Sequence, residues 1–140
     1  MISIPTILRR ASFFLGLAVA STALSQPAVT IAVTGHQITF SEALKLDSTG
    51  INLTNTGASS VAGVISGTGA LAKNGAGTLT LSGANTYSGA TQVNAGMLSV
   101  ANSLGLGTTA GSTTVASGAA IQFSGNVTVQ ETITLAGDGI

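Results

Sequence analysis

Cysteine and tryptophan are absent from this sequence, and charged residues make up only 6% of it. Without cysteine the chain can form neither a disulfide framework nor a thiolate metal site. Both arginines, Arg9 and Arg10, lie near the N-terminus, and no basic cluster follows them. Because recognition of phosphates requires clustered lysine or arginine, the sequence predicts no nucleic-acid partner.

The low charge content does not predict a disordered chain. Disordered segments combine low hydrophobicity with high net charge, whereas this chain is 44% hydrophobic with a formal net charge of zero. Its apolar residues lie in short alternating runs between glycines, and the chain has 19 glycines but only 2 prolines. This pattern is typical of β-structure.

Groups that could carry out catalysis are scarce. His36 is the only histidine, and as a general base it would need a nucleophile and an orienting acid beside it. Ser41 and Glu42 are near it in sequence, but serine and threonine are too common here for proximity to count. The carboxylates of Glu42 and Asp47 lack the aromatic sugar platform of a glycosidase. We therefore predict no catalytic residue, no cofactor, no small-molecule substrate and no enzyme activity.

Ligand-binding loops are equally weak. Gly67-Thr68-Gly69 and Gly75-Ala76-Gly77 are spaced like phosphate-binding loops, but no helix follows to supply its N-terminus. Gly137-Asp138-Gly139 is a single copy of a motif that binds calcium only when stacked. We predict turn glycines and no metal site.

The first 25 residues have the layout of a signal peptide. Arg9 and Arg10 form a positive region, residues 11–20 form an apolar region, and Ala23-Leu24-Ser25 supplies small residues for cleavage at Ser25. An uncleaved N-terminal anchor is the alternative. The general secretory route is favoured over the twin-arginine route, because the spacing after Arg10 fits the latter loosely.

The rest of the chain repeats. Gly77-Thr78-Leu79-Thr80-Leu81 and Gly96-Met97-Leu98-Ser99-Val100 share one pattern nineteen positions apart, and residues 119–123 continue it. Because side chains of a strand point alternately to opposite faces, the alternation predicts a repeat core, which consists of Leu79, Leu81, Val93, Leu98, Val100, Ile121 and Phe123. Further strands are predicted at residues 91–93, 113–115, 127–129 and 133–135.

Glycine and asparagine separate these strands, and both residue types tolerate the tight turns of corners. The predicted turn residues are Gly75, Gly77, Gly83, Asn85, Gly89 and Gly96. An Asn-Gly pair can also mark a hairpin, so an antiparallel sandwich is the competing architecture. Short strands recurring with a period near 20 favour a three-sided parallel solenoid of about five or six coils.

The segment from Gly67 to Val100 closely resembles the autotransporter-associated β-strand repeat, also called the passenger-associated transport repeat. The resemblance is carried by Gly75-x-Gly77-Thr78-Leu79-Thr80-Leu81-Ser82-Gly83-x-Asn85-Thr86-Tyr87-Ser88-Gly89 and by the residues that follow it, namely Thr91, Val93, Asn94, Gly96 and Leu98. It implies a right-handed parallel β-helix of the pectin-lyase-like class. It also implies a passenger of type V secretion, whose outer-membrane translocator barrel is expected downstream of Ile140.

These observations divide the chain into a signal peptide (1–25), the start of the passenger (26–66) and solenoid repeats (67–140, with the best match at 67–100). The predicted function is structural, supporting secretion and folding of the passenger at the cell surface. The alternative is an adhesin that binds surface glycans or neighbouring cells through its threonine, serine and asparagine faces.

Overall fold

The structure is a computed structural model that describes residues 17–20, 29–33, 39–41, 43–46, 48 and 50–136, with side chains from residue 39 onward. Every regular element in these ranges is a strand. The strands are β1 (Leu17–Ala20), β2 (Val29–Val33), β3 (Thr39–Phe40), β4 (Leu44–Leu46), β5 (Ile51–Asn55), β6 (Ser59–Val61), β7 (Ile65–Gly67), β8 (Leu71–Asn74), β9 (Thr78–Leu81), β10 (Thr91–Val93), β11 (Met97–Val100), β12 (Thr113–Val115), β13 (Ala120–Phe123) and β14 (Ile133–Leu135).

The strands form three sheets that the chain visits in turn. The first sheet has the order β1-β2-β5-β8-β10-β12-β14, the second has the order β3-β6-β9-β11-β13, and the third pairs β4 with β7. Each strand after β1 pairs in parallel with the strand one coil away. The chain is therefore an all-β parallel solenoid of about five turns. The antiparallel sandwich is wrong for the described repeats.

The third side continues beyond β7 through single backbone hydrogen bonds. Thr86 N–H donates to the Ile65 carbonyl at 2.7 Å and Ser88 N–H donates to the Gly67 carbonyl at 2.9 Å. One coil further on, Thr108 N–H donates to the Tyr87 carbonyl at 2.9 Å. Successive coils are thus in contact on all three sides over this part of the stack.

β1 is the exception to parallel pairing. It lies antiparallel to β2, with Leu17 opposite Val33 and Ala20 opposite Thr30. β1 falls within the predicted signal peptide, of which the rest, including Arg9, Arg10 and Ser25, lies outside the described residues.

The core follows from the alternation of side chains. In β9 and β11 the second and fourth residues are buried and the others are half-buried. Leu98 pairs with Leu79, and Val100 pairs with Leu81, as the repeat predicts. Leu79, Leu81, Val93, Leu98 and Val100 are each at most 2% exposed. The same facing positions in each coil build one continuous apolar interior.

The predicted core residues become more exposed at β13. Ile121 is half-buried and Phe123 is 40% exposed, although their register with Leu98 and Val100 is as predicted. Both pack against one coil only, because no described strand pairs with β13 on its far side. Residues 127–129, predicted as a strand, form no strand, although Val127 and Val129 pack against the core.

The corner glycines are required for two different reasons. Gly75 and Gly96 have φ of +80° and +68°, in the left-handed region that favours glycine. Gly77, Gly83 and Gly89 have no such dihedral, but a Cβ on any of them would overlap the backbone of the preceding coil. The period is therefore enforced by close approach between coils as well as by turn geometry.

Candidate functional site

Polar groups lie inside the solenoid, where a hydrophobic core would be expected throughout. Burying a polar group is costly unless it is hydrogen-bonded, so the partners of these side chains define what they do. The buried polar residues of the described chain are Asn55, Ser59, Lys73, Asn85, Thr91 and Thr113.

Asn85 connects three consecutive coils. Its Oδ1 accepts the backbone N–H of Ile65 at 2.8 Å, and its Nδ2 donates to the Gly105 carbonyl at 2.7 Å. Both partners are twenty positions away, one coil on either side. Because Asn85 is 1% exposed, these bonds are shielded from water in the folded chain. Asn85 lies between β9 and the third side, and its side chain bridges the coils.

Lys73 is fully buried in a row of inward-facing aliphatic residues, between Leu53 and Val93. Its ammonium group donates to the carbonyls of Asn74 at 2.9 Å, Gly75 at 2.7 Å and Ala95 at 3.2 Å. These three acceptors use all three donors of the ammonium group. Burial lowers the pKa of Lys73 below its ordinary value. The side chain joins the corner after β8 to the corner after β10.

Asn55 performs a similar task one coil earlier. Its Nδ2 donates to the carbonyls of Gly57 at 2.6 Å and Thr78 at 2.9 Å. The second of these acceptors belongs to the next coil, twenty-three positions on. Corners of successive coils are therefore fastened by side chain to backbone contacts as well as by the ladders.

Two side-chain hydrogen bonds, one between two hydroxyls and one between a hydroxyl and a carboxylate, lie one coil apart at the corner between the third side and the first sheet. The Tyr87 hydroxyl is 2.6 Å from Thr91 Oγ1, and one coil on, the Thr113 hydroxyl donates to the Glu131 carboxylate. Thr91 and Thr113 are register partners. Burial raises the pKa of Tyr87, the bond to Thr91 opposes that rise, and the charge of Glu131 adds to it. Burial also raises the pKa of Glu131, against the opposing bond from Thr113.

A cleft opens on the third side beyond this corner, between residues 103–109 and 128–131. It encloses about 180 Å³, and its lining includes serine and threonine residues, aliphatic residues and Glu131. The predicted strand at 127–129 would have closed the ladder here. Instead, Thr128 N–H donates to the Ser103 hydroxyl at 3.1 Å.

Most of the candidate catalytic and metal-binding residues of the sequence fall outside the part of the chain that the structure describes. His36, Glu42, Asp47 and residues 137–139 lie outside the described residues, and Lys45 is exposed on β4. Among the residues that the structure describes, no three histidine, cysteine, aspartate or glutamate residues are close enough to share a metal ion. The same part of the chain has no helix that could cross a membrane.

The buried role of Lys73 was missed from the sequence, although the signal was present. Leu71-Ala72-Lys73 alternates with period two, so Lys73 must face the same side as Leu71. A charged side chain at an inward position predicts a set of interior acceptors. Those acceptors are backbone carbonyls, which no residue type reveals.

The comparison with family models gives one match. Residues 71–100 match the passenger-associated-transport-repeat model, which confirms the resemblance found in the sequence. The match begins at the first residue of β8 and ends at the last residue of β11, and so takes in Lys73 and Asn85. Comparison with curated proteins and with solved structures gave no match. Residues 71–100 thus match the passenger-associated-transport-repeat family, which is consistent with an autotransporter passenger, and the match implies an exported protein.

Proposed function

We propose that the chain is a structural passenger segment that folds after export and supports the rest of the passenger at the cell surface. The observation that carries this proposal is the bridge made by Asn85, which holds three coils together from within the family-matching repeat. Neighbouring coils are also linked by the buried ammonium of Lys73. A rod fastened by its own backbone and side chains needs no disulfide and no cofactor to fold outside the cytoplasm, and we propose no enzyme activity for it.

The same proposal includes the route and the finer class of the fold. Connections between parallel strands of one sheet are right-handed in about 98% of cases, which favours a right-handed β-helix of the pectin-lyase-like class. The order of positive, apolar and small residues before Ser25 favours a cleaved signal peptide. The transport repeat favours type V secretion through an outer-membrane translocator barrel as the partner, with the passenger held at or released from the outer membrane.

The test compares the amount of folded passenger at the cell surface for two asparagine variants, each expressed in the bacterium that carries the gene. Asn85→Ala removes both bridging bonds, whereas Asn94→Ala removes one exposed bond to Asn74 Oδ1. Whole cells are treated with proteinase K, since trypsin has few sites here, and the protected fragment is quantified. We expect Asn85→Ala to reduce the folded surface passenger severalfold and Asn94→Ala to leave it unchanged. Equal export and equal protection of the two variants would contradict a scaffold role for this repeat.

An adhesive surface is the second candidate, and the outer face of the second sheet favours it. Ser60, Thr80, Ser99 and Gln122 are consecutive register partners that point away from the core. They form an uncharged row of hydrogen-bonding groups that suits the hydroxyls of a glycan. Thr80→Asp should abolish cell-to-cell aggregation if this row binds surface glycans, and Gln92→Asp on the outer face of β10 is the matched control. Unchanged aggregation in the Thr80 variant would eliminate this candidate.

A further inference from the structure

The cleft on the third side differs in construction from the rest of the solenoid. Up to Thr108 the third side is closed by backbone hydrogen bonds between coils. Between residues 103–109 and 128–131 the only hydrogen bond that joins the described walls runs from Thr128 N–H to the Ser103 hydroxyl. The two coils part here, and the space between them is lined by side chains.

Glu131 lines this cleft, and its carboxyl group has no cation beside it in the described structure. It is half-buried, and its one hydrogen bond comes from the neutral hydroxyl of Thr113. Of the two lysines in the described chain, Lys73 is bound to three carbonyls in a different corner, and Lys45 lies on β4 several coils away. A carboxylate withdrawn from water normally has a positive partner or a set of hydrogen bonds, and the described residues give Glu131 a single donor.

A second polar group in the same wall lacks a partner. Thr108 Oγ1 is buried and makes no hydrogen bond within the described structure. A buried hydroxyl without a partner is unusual and requires an explanation. The other surfaces of the cleft are apolar, with Leu106 buried, Val129 half-buried and Leu104 51% exposed.

We propose that this cleft binds the primary ammonium group of a small organic amine, such as an amino sugar. The ammonium group donates to the Glu131 carboxylate. Because Thr108 Oγ1 is buried, rotation of the Thr108 side chain turns this oxygen towards the cleft, where it accepts a second bond from the ammonium group. The carbon skeleton lies against Leu104, Leu106 and Val129. An ammonium group has three donors and no acceptor. It therefore complements two oxygens that can accept further hydrogen bonds. A neutral sugar would leave the charge of Glu131 unpaired.

The size of the cleft restricts the ligand further. Pockets for drug-sized molecules enclose about 300–1,000 Å³, whereas this cleft encloses about 180 Å³. The space admits one small ring or a short alkyl chain. This inference is independent of the scaffold role, because the bridging residues on which that role rests, Asn85 and Lys73, lie outside the cleft.

The experiment is a titration of the isotopically labelled chain, followed by the backbone amide resonances of residues 103–109 and 128–131. Glucosamine is the probe, glucose is the neutral analogue of the same shape, and lysine amide is an amine without a sugar ring. Calcium chloride at matched ionic strength tests the alternative of an inorganic cation. Glu131→Gln keeps an acceptor for Thr113 and removes the charge, and Thr108→Val removes only the hydroxyl. Thr114→Ala, on the outer face of β12, is the control.

We expect saturable shifts with glucosamine, with a Kd on the order of 1–10 mM for so small a ligand. Glu131→Gln should weaken binding at least about tenfold, because a charge-assisted bond is lost. Thr108→Val should weaken glucosamine binding about threefold to tenfold, because one hydrogen bond to a neutral acceptor is lost. Binding of lysine amide as tightly as glucosamine would support the ammonium site and assign recognition to the amine alone.

Three results would overturn the proposal. The first is no saturable shift with either amine at concentrations up to about ten times the expected Kd. The second is equal binding of glucose and glucosamine, which would make this a neutral sugar site. The third is that calcium displaces glucosamine while Glu131→Gln abolishes only the resonance shifts caused by calcium, which would make the carboxylate an inorganic cation site. Cooperative thermal unfolding of both variants, at temperatures no lower than that of the unmodified protein, excludes loss of fold as the reason for weakened binding.

Discussion

Asn85 accepts the backbone N–H of Ile65 at 2.8 Å across one coil of the solenoid. With its other amide atom bound to the next coil, this single side chain fixes the spacing of three layers of the chain. We therefore expect stability to depend on these interior polar contacts as well as on the aliphatic rows.

Asn85→Ala should lower the free energy of unfolding by about 2–4 kcal/mol, since it leaves a buried N–H and a buried carbonyl without partners. Asn94→Ala is the matched control, because Asn94 is exposed and its side chain bonds only Asn74. Its cost should stay below about 0.5 kcal/mol, as for most surface positions. Urea unfolding followed by circular dichroism measures both. Similar costs at the two positions would mean that the Asn85 bridge does not hold the stack.

Leu98→Ala should cost about 2–5 kcal/mol, because it opens a cavity in a narrow core that relaxes poorly. Thr80 points outward from the neighbouring strand, and Thr80→Ala should cost well under 1 kcal/mol, roughly the value for surface substitutions. Thermal unfolding of the two variants measures the contrast. If both were equally destabilised, the assignment of inner and outer faces in β9 and β11 would be incorrect.

Gly89→Ala and Gly118→Ala separate close approach from backbone strain. A Cβ on Gly89 would overlap the backbone of Gly69 in the preceding coil, whereas a Cβ on Gly118 meets nothing within 4 Å. Gly118 has φ of +81°, so alanine there costs about 1–2 kcal/mol through the left-handed conformation alone. Gly89→Ala should cost more, about 3 kcal/mol, because backbone atoms must part. Chemical denaturation measures both costs, and a larger decrease in the free energy of unfolding for Gly118→Ala than for Gly89→Ala would contradict this ranking.

The pH dependence of stability should carry a signature of Glu131. Its pKa is raised in the folded protein from an ordinary value of 4.5, mainly by burial. Between 4.5 and the raised value, the folded state binds more protons than the unfolded state, so the free energy of unfolding falls as pH rises through that window. Glu131→Gln removes this decrease, and its stability relative to the unmodified protein should increase from pH 4 towards neutral pH. The difference between the two proteins cancels the titration of other carboxylates. A difference that stays constant with pH would contradict the burial of this group.

Export should remove the N-terminus near Ser25, as the order of positive, apolar and small residues predicts. Mass spectrometry of protein recovered outside the cytoplasm gives the new first residue. Processing at this position would also remove β1 and leave the outer edge of β2 without its antiparallel partner. Recovery of the intact Met1 with its apolar segment would make residues 1–25 an anchor instead.

The repeat made the solenoid predictable, because the same pattern nineteen positions apart places Leu98 over Leu79. The exposure of Phe123 was not predictable from alternation. The pattern reports which face a side chain occupies, and burial also depends on the strand that covers it. Residues 127–129 show the same limit of the pattern. Their Val-Thr-Val alternation fits a strand, but they form none, because the preceding coil does not offer a backbone ladder at this position.

The polar interior was harder to predict than the core. The residue type of Asn85 indicated a corner. Its hydrogen-bond partners, however, are backbone groups, namely the N–H of Ile65 as donor and the carbonyl of Gly105 as acceptor. Backbone partners have no residue signature, so only the register of three coils brings them together. The pairing of Glu131 with Thr113 has the same origin, since the two residues meet because the chain completes one turn between them.

The bridge made by Asn85 also determines how the rod would respond to force. A pull on one end of a parallel solenoid loads its lateral hydrogen bonds one coil at a time, so an unbridged stack would unravel in steps of about one turn. Asn85 ties the coil of Ile65 to the coil of Gly105, and a peeling front must break both contacts before it advances past this layer. This layer should therefore resist peeling more strongly than an unbridged one, and during the export that we propose it is where the folded part of the chain would oppose backward movement.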